Sequence, residues 1–334
     1  MKVAVLSTSY PRTPGDVAGG FVADAVEAVR KLGVEVAVVS PAGFGTFGVA
    51  YGDGIVQNLR ARPWRVALLP AFMAAYTLAA RRAARDADVV HAHWLPSAIP
   101  ARATGAPYVL QLWGTDVELA RRIPRLARAL VRGAHAVVAA STSLAEAARS
   151  LGARRVEVIP AGVDLPDDVV APESPPHVLY VGRLSPEKGV LDFVAGTDGL
   201  PRRIVGDGPL RARIPDAVGF ESPAALARSY GRAAVVCVPS RREGYGMTAR
   251  EAMAYGRALV ATRVGGLADA FVDGESGIEI PPEDPAALRA AVERLLGDED
   301  ERRRIAAGAR TAAAAFSRAA EAGSLVELWS EVAR

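Results

Sequence analysis

Between Val238 and Gly256 the chain reads Val-Pro-Ser-Arg-Arg-Glu-Gly-Tyr-Gly-Met-Thr-Ala-Arg-Glu-Ala-Met-Ala-Tyr-Gly. The apolar run Ala234 to Val238 predicts a strand that stops at Pro239-Ser240, with a helix opening near Met247 after a loop holding Gly244 and Gly246. Two carboxylates bracket the turn, Glu243 in the loop and Glu251 one helical turn inside. Amides at a helix start lack intrahelical partners and sit at the positive end of the helix dipole, which suits an anion. Ionised carboxylates only accept hydrogen bonds, so Glu243 and Glu251 suit hydroxyls on either side of that anion. A phosphate flanked by hydroxyls is the pattern of a nucleotide sugar.

Two more glycine turns follow predicted strands. Val181-Gly-Arg-Leu-Ser-Pro-Glu-Lys-Gly189 places Arg183 in a loop and Lys188 at a helix start, two cations able to hold a diphosphate. Lysine is scarce, with Lys2, Lys31 and Lys188 against 37 arginines, so its presence at 188 suggests that a compact ammonium is wanted there. Val205-Gly-Asp-Gly-Pro209 is read either as a tight turn or as a ligand contact. Loops after strands of one parallel sheet gather at its carboxyl edge, where α/β sheets bind ligands.

The elements needed to position these residues can be followed along the chain. Val3–Ser7, a loop from Thr8 to Gly20, a helix from Phe21 to Leu32 and Glu35–Ser40 predict a βαβ opening. No G-x-G-x-x-G follows the first strand, which argues against a nicotinamide-binding fold. Trp64 to Arg85 fits a core-packed helix or an amphipathic helix on a membrane surface. Strands are expected at 89–93, 108–112, 136–140 and 156–159, with Pro124 kinking the arginine-rich helix that runs to Arg132. The Pro- and acid-rich stretch Asp164 to His177 marks a boundary. A second series of strands follows at 178–181, 203–205, 218–220, 234–238 and 258–261, and the tail from Asp284 reads as helical. Strands alternating with helices predict parallel sheets covered on both faces.

Composition agrees with a chain of two globular domains: 334 residues, half of them hydrophobic. The one cysteine, Cys237, falls in a strand and is read as a packed core thiol. Residues 1–165 carry 19 Lys and Arg against 12 Asp and Glu, while the rest carry 21 against 25. The basic half is compatible with an anionic membrane surface or an anionic acceptor, and equally with solvated surface. The apolar start, Met1–Leu6, is too short for a signal peptide, and no apolar run reaches a spanning length. A cytoplasmic protein, with or without peripheral contact at the inner face of the membrane, is expected. His91, His93, His135 and His177 are scattered, so no metal site is expected. Nucleic acid is not expected as a partner, because no basic stripe is interleaved with aromatics.

Taken in order, Tyr10-Pro-Arg12 with Gly19-Gly20, Asp88-Val-Val-His-Ala-His-Trp94, Ile159-Pro-Ala-Gly-Val-Asp164, Val181-Gly-Arg-Leu184, Glu187-Lys-Gly189, Gly206-Asp-Gly-Pro209, Glu243 through Glu251 and Gly265-Gly266 resemble glycosyltransferase family 4 over nearly the whole chain. The resemblance implies an α/β protein of GT-B fold, with two facing Rossmann-like domains and a C-terminal helix crossing back to the first. It divides the chain into an acceptor-side domain (1–163), a donor domain (177–316) and the returning helix (317–334), whose Leu325, Leu328 and Trp329 share a face. It also implies retaining transfer of a hexosyl unit from a nucleotide-diphosphate sugar to a glycan, lipid-linked or small-molecule acceptor, with no metal and no cofactor.

Carried over to this sequence, Arg183 and Lys188 would hold the diphosphate, Glu251 the ribose and Glu243 the donor sugar, with Arg183, Lys188 and Glu243 as the catalytic set and Glu251 as a donor-binding residue. Gly182, Gly206, Gly244, Tyr245, Gly246, Met247 and Thr248 would line the donor, and Gly20 would close over the diphosphate. One position departs from the family. Where many members carry a sugar-contacting His after the strand at 108–112, this chain has Trp113, which leaves Asp116 as the polar candidate there. His93 is read as an acceptor-side group or as a strand-end histidine, and the loops 8–20 and 44–53 would face the acceptor. Two other readings fit the same residues: a nucleotide-sugar epimerase of GT-B type, and a non-catalytic nucleotide-sugar or glycan-binding protein at the membrane.

Overall fold

The computed structural model describes residues 1–13, 16, 18–51 and 55–334. These form two compact units, 1–162 together with 318–334, and 163–317. Residues 14, 15, 17, 52 and 53, within the loops expected to face an acceptor, lie outside the described residues.

In the first unit the elements run β1 (Lys2–Leu6), α1 (Gly20–Lys31), β2 (Glu35–Val39), α2 (Pro41–Phe44), α3 (Ile55–Ala61), α4 (Leu69–Ala83), β3 (Val89–His93), α5 (Ala98–Thr104), β4 (Tyr108–Leu112), α6 (Thr115–Arg122), α7 (Pro124–Gly133), β5 (Ala136–Ala139), α8 (Thr142–Ser150) and β6 (Val156–Val158). The sheet order is β2-β1-β3-β4-β5-β6, and every pairing is parallel. Strands β3 and β4 are buried along their whole length because helices cover both faces of the sheet. Helix α1 turns Val22, Val26 and Val29 inward at spacings of four and three, which puts them on one face. In α4, Phe72, Tyr76 and Ala80 do the same, so the core-packed reading of this helix holds. Pro124 does not kink a continuous helix. It ends α6 and starts α7 as its first residue, where the missing N–H costs nothing.

The second unit contains β7 (Val178–Val181), α9 (Val190–Gly196), β8 (Arg202–Val205), α10 (Pro223–Arg232), β9 (Val235–Val238), α11 (Met247–Ala254), β10 (Ala258–Ala261), β11 (Ile278–Glu279), α12 (Pro285–Gly297) and α13 (Glu299–Ala313). Its parallel sheet is ordered β11-β10-β9-β7-β8. Residues 218–220, expected as a strand, make only an isolated bridge from Gly219 to Gly206, plus one ladder-like bond from Val218 N–H to Ile204 O. The Pro-rich stretch 163–176 packs on this unit. Val163 N–H donates to Phe316 O, Arg257 Nη2 to Val170 O at 2.7 Å, and Arg310 to Pro166 O. The buried Arg257 and the half-buried Arg310 thus anchor a segment that has no apolar periodicity of its own.

The chain then returns to the first unit as α14 (Arg318–Val332), which buries Ala322, Leu325, Leu328 and Trp329 among Val3, Val5, Val22 and Val26. Its attachment is also polar. Glu321 accepts from Gly162 N–H at 2.8 Å, and Arg318 pairs with Asp24 at 2.6 Å. Burial pushes the Glu321 carboxyl up to about 7, so the folded state holds its proton where the unfolded chain has lost it. The stability this group contributes is therefore present below the unfolded value of about 4.5 and is lost as pH rises through about 7. Glu321→Gln keeps an acceptor for Gly162 and removes the buried charge. Its effect on unfolding free energy should shift in the stabilising direction by on the order of 2 kcal/mol between about pH 5 and about pH 8. Denaturant titrations showing no pH dependence of that difference would rule out the assignment.

Candidate functional site

In the second unit the direction of winding reverses between β7 and β9, because the chain passes from β7 to β8 on one side and then to β9 on the other. At such a switch point the loops leaving adjacent strands diverge and open a crevice at the carboxyl edge. The loop after β7 carries Arg183 and Lys188, and the loop after β9 carries Glu243. Lys188 Nζ meets Glu243 Oε2 at 2.6 Å across this gap, and Ser240 Oγ donates to the same oxygen at 3.3 Å. Arg183 is exposed, and its guanidinium has no hydrogen bond or ion pair among the described residues. Its carbonyl is fixed by Tyr180 Oη at 3.1 Å.

The two loops are pressed together by backbone contacts. Arg241 N–H donates to Glu187 O at 2.9 Å. Gly189 ends the Pro186–Lys188 turn with φ of 67° and has no room for a side chain, since an added Cβ would stand 1.8 Å from Pro239 O. Gly206, after β8, packs against the Gly182 carbonyl, so its lack of a side chain is explained by loop packing alone.

Gly246 caps α11, and Met247 is the first helical residue. Thr248 Oγ1 donates to Val181 O at 3.2 Å, tying the first turn of α11 to the end of β7. Tyr245 is buried, so the Gly244–Thr248 segment presents backbone rather than this ring. The sequence reading passes over Arg250, which is 1 % exposed. Its guanidinium lies 3.8 Å above the Tyr245 ring and donates to Tyr245 O and Gly266 O, bracing the loop from inside. Gly266 N–H in turn donates to Glu243 O at 3.0 Å.

Glu251 accepts from Tyr230 Oη on α10 at 2.6 Å, and Tyr230 stacks on Tyr255 at 5.3 Å. Burial and the nearby Asp164 raise the Glu251 carboxyl above its ordinary range, and the Tyr230 hydrogen bond opposes them. Tyr230 was invisible as a site residue because it sits 21 positions upstream of Glu251, on another helix. If Glu251 binds a donor hydroxyl, Tyr230→Phe should raise donor KM by about tenfold near neutral pH, the worth of one hydrogen bond to a charged group. The rise should steepen as pH falls, because the Glu251 carboxyl loses the bond that holds its value down. kcat at saturating donor should change far less. A donor KM equal to wild type across the acid range would remove Tyr230 from this role.

The first unit has its own switch point, between β1 and β3. Gly20 opens α1 there, with open space where a side chain would stand. His93 ends β3, and Trp113 follows β4 and donates from Nε1 to His93 Nδ1 at 3.2 Å. Phe21 lies 4.5 Å from the Trp113 ring and 5.8 Å from Trp94. Burial and neighbouring His91 lower the His93 imidazole well below its usual value, so it is neutral, with its proton on Nε2. Asp116 is 3 % exposed, and its two oxygens accept from Leu95 N–H at 2.6 Å and Trp113 N–H at 2.8 Å. The carboxylate therefore pins the loops after β3 and β4, positioning His93, Trp94 and Trp113.

Among the described residues no three His, Cys, Asp or Glu side chains gather as a metal cluster. Two Asp-x-Asp triplets have backbone duties: Asp88 accepts from Lys2 N–H at 2.8 Å, and Asp298 caps α13 by accepting from Glu301 N–H at 2.9 Å. Cys237 is buried in β9, as expected of a core thiol.

Solved structures share this architecture. Sucrose-phosphate synthase from Thermosynechococcus elongatus matches with a TM-score of 0.80 at 21% identity, covering 99% of this chain and 98% of that one. HepE from Anabaena, solved in complex with UDP, matches with a TM-score of 0.74 at 20% identity, covering 99% and 100%. The fold is of GT-B type. A model of Glycosyltransferase Family 4 matches residues 18–166, and one of Glycosyl transferases group 1 matches residues 175–298. The chain belongs to this family of glycosyltransferases. Glycogen synthase from Mycobacterium tuberculosis is 30% identical over 262 residues, 67% of this chain and 63% of that protein. Alpha-D-kanosaminyltransferase from Streptomyces kanamyceticus is 34% identical over 47% of this chain and 46% of its own length. The chain thus spans less than two thirds of these curated relatives.

Proposed function

We propose that the protein is a retaining glycosyltransferase that moves a hexosyl unit from a nucleotide-diphosphate sugar to a glycan, lipid-linked or small-molecule acceptor without a metal ion. The observation that carries this reading is the Lys188–Glu243 pair, 2.6 Å apart and bridging the loops at the β7/β9 switch point, with the start of α11 and Glu251 on the same edge. Arg183, Lys188 and the first-turn amides of α11 bind the diphosphate. Their positive charge stabilises it more as it leaves than while it is bound to the sugar. Glu251 accepts from the ribose and Glu243 from the sugar hydroxyls. The acceptor attacks C1 on the face from which the diphosphate departs, so Glu243 binds and does not form a glycosyl-enzyme bond.

Three cationic or dipolar groups at the diphosphate supply the charge that a divalent ion would otherwise bring. HepE, which has been solved in complex with UDP and with UDP-glucose, supports the reading of a nucleotide-sugar donor. His93 and Trp113 would line the acceptor or sugar side, with Asp116 holding them in place. Among the described residues no helix is long and apolar enough to cross a membrane. Peripheral contact at the membrane's inner face would use the exposed Trp64 and Val66 beside Arg62.

The test is transfer and donor hydrolysis with a panel of nucleotide sugars in EDTA, with the product anomer read by NMR. Activity that survives chelation and retains configuration is expected. Chelation that abolishes activity, or an inverted anomer, would contradict the mechanism. A 4-position or 2-position epimer appearing without acceptor would favour an epimerase, and donor bound but never turned over would favour a binding protein.

A further inference from the structure

At the amino-terminal edge of the first sheet, opposite the His93 and Trp113 edge, lies a cleft of about 590 Å³. It is lined by Arg102 near the end of α5, Arg132 in the last turn of α7, His135 just before β5 and Arg154 just before β6, with no acidic side chain on its wall. Arg132 and Arg154 have no ion pair among the described residues, and Arg102 spends one nitrogen on Ala129 O at 2.9 Å. His135 Nδ1 accepts from Tyr108 N–H at 3.3 Å, so in its neutral form the imidazole carries its proton on Nε2 and donates. Every ionisable side chain on the wall is therefore a donor.

The carboxyl ends of helices attract cations, and those of α5 and α7 carry Arg102 and Arg132. Each supplies only about half a negative charge, short of the three full guanidinium charges gathered here. The residual positive charge, on side chains open to solvent, favours an anion, and the volume exceeds that of one phosphate while falling within the range of small-molecule sites.

From this geometry we infer a second anion site, separate from the donor edge, that takes a diphosphate or a phosphorylated small molecule through Arg102, Arg132, Arg154 and His135. Guanidinium groups suit it because each offers two parallel donors to phosphate oxygens. The same chemistry could come from free phosphate compounds or from a phospholipid headgroup.

The experiment titrates the full chain with pyrophosphate by calorimetry, using wild type, Arg132→Ser/Arg154→Ser and Arg183→Ala/Lys188→Ala. The last variant disables the donor edge, so the two sites are read separately. Saturable binding retained in Arg183→Ala/Lys188→Ala and weakened at least about tenfold in Arg132→Ser/Arg154→Ser is expected. Exposed Arg154→Glu, read alone, guards against a folding defect in the double variant and should weaken binding in the same direction. If pyrophosphate fails to bind here, flotation with phosphatidylcholine vesicles containing phosphatidylglycerol is the second arm. Binding lost in the same arginine variants would assign the site to a lipid headgroup. No binding in either arm, or binding indifferent to Arg132 and Arg154, overturns the inference. A chain that binds pyrophosphate only through Arg183 and Lys188 would overturn it too, while leaving the proposed transferase intact.

Discussion

Lys188→Ala is expected to lower kcat/KM for the sugar donor by about 10²–10³, the usual cost of removing one group that stabilises developing charge. Lys188 closes a short turn whose next residue, Gly189, is locked against Pro239, so the ammonium is placed by backbone and not by a flexible loop. Its Nζ sits 2.6 Å from Glu243, which keeps Glu243 oriented by charge and by the Ser240 hydroxyl. Truncation removes a diphosphate ligand and also releases the sugar-binding carboxylate. Arginine should not restore activity, because a planar fork does not reproduce a point charge at that distance. Glu243→Gln combined with Lys188→Ala should show a coupling on the order of 1–3 kcal/mol in activation free energy, since the two side chains touch. Turnover within threefold of wild type for Lys188→Ala would take the lysine out of the site.

Gly189→Ala should destabilise the protein by at least about 3 kcal/mol or abolish donor binding. Left-handed backbone alone costs an alanine about 1–2 kcal/mol, and steric overlap adds to it. Here the added methyl would stand 1.8 Å from a carbonyl oxygen of the facing loop, so the loops after β7 and β9 would have to separate. Gly219 is the control. It also has positive φ, 82°, but its added Cβ meets nothing within 4 Å, so Gly219→Ala should cost only the backbone term. Chemical denaturation of the pair measures the difference. Equal costs would mean that the loops are not rigidly packed.

Much of this was legible before the fold. The alternation of apolar runs with amphipathic helices predicts parallel sheets, and both are present. Glu243, Lys188 and Glu251 stand out in the sequence because glycines and prolines mark the ends of strands, and loops there must share one edge. Pairing across 55 residues, as between Lys188 and Glu243, depends on strand order, which the linear pattern does not reveal. Arg250 and Tyr230 escape for a related reason. Each acts from beneath a site residue, and an arginine or tyrosine on a helix looks like surface until its partner is known. Residues 218–220 mislead in the opposite sense: a short apolar triplet bonded on one side only falls short of a strand. Pro124 is ambiguous in sequence because the same residue kinks a helix interior and starts a new helix.

The most direct measurement of the central claim is calorimetric binding of a panel of nucleoside diphosphates to wild type and to Glu251→Ala. If the β7/β9 edge is a donor site, at least one nucleoside diphosphate should bind saturably. Glu251→Ala should weaken it at least about tenfold, as expected for loss of a charged acceptor facing the ribose. A panel in which none binds, or in which Glu251→Ala binds as wild type does, would contradict the account.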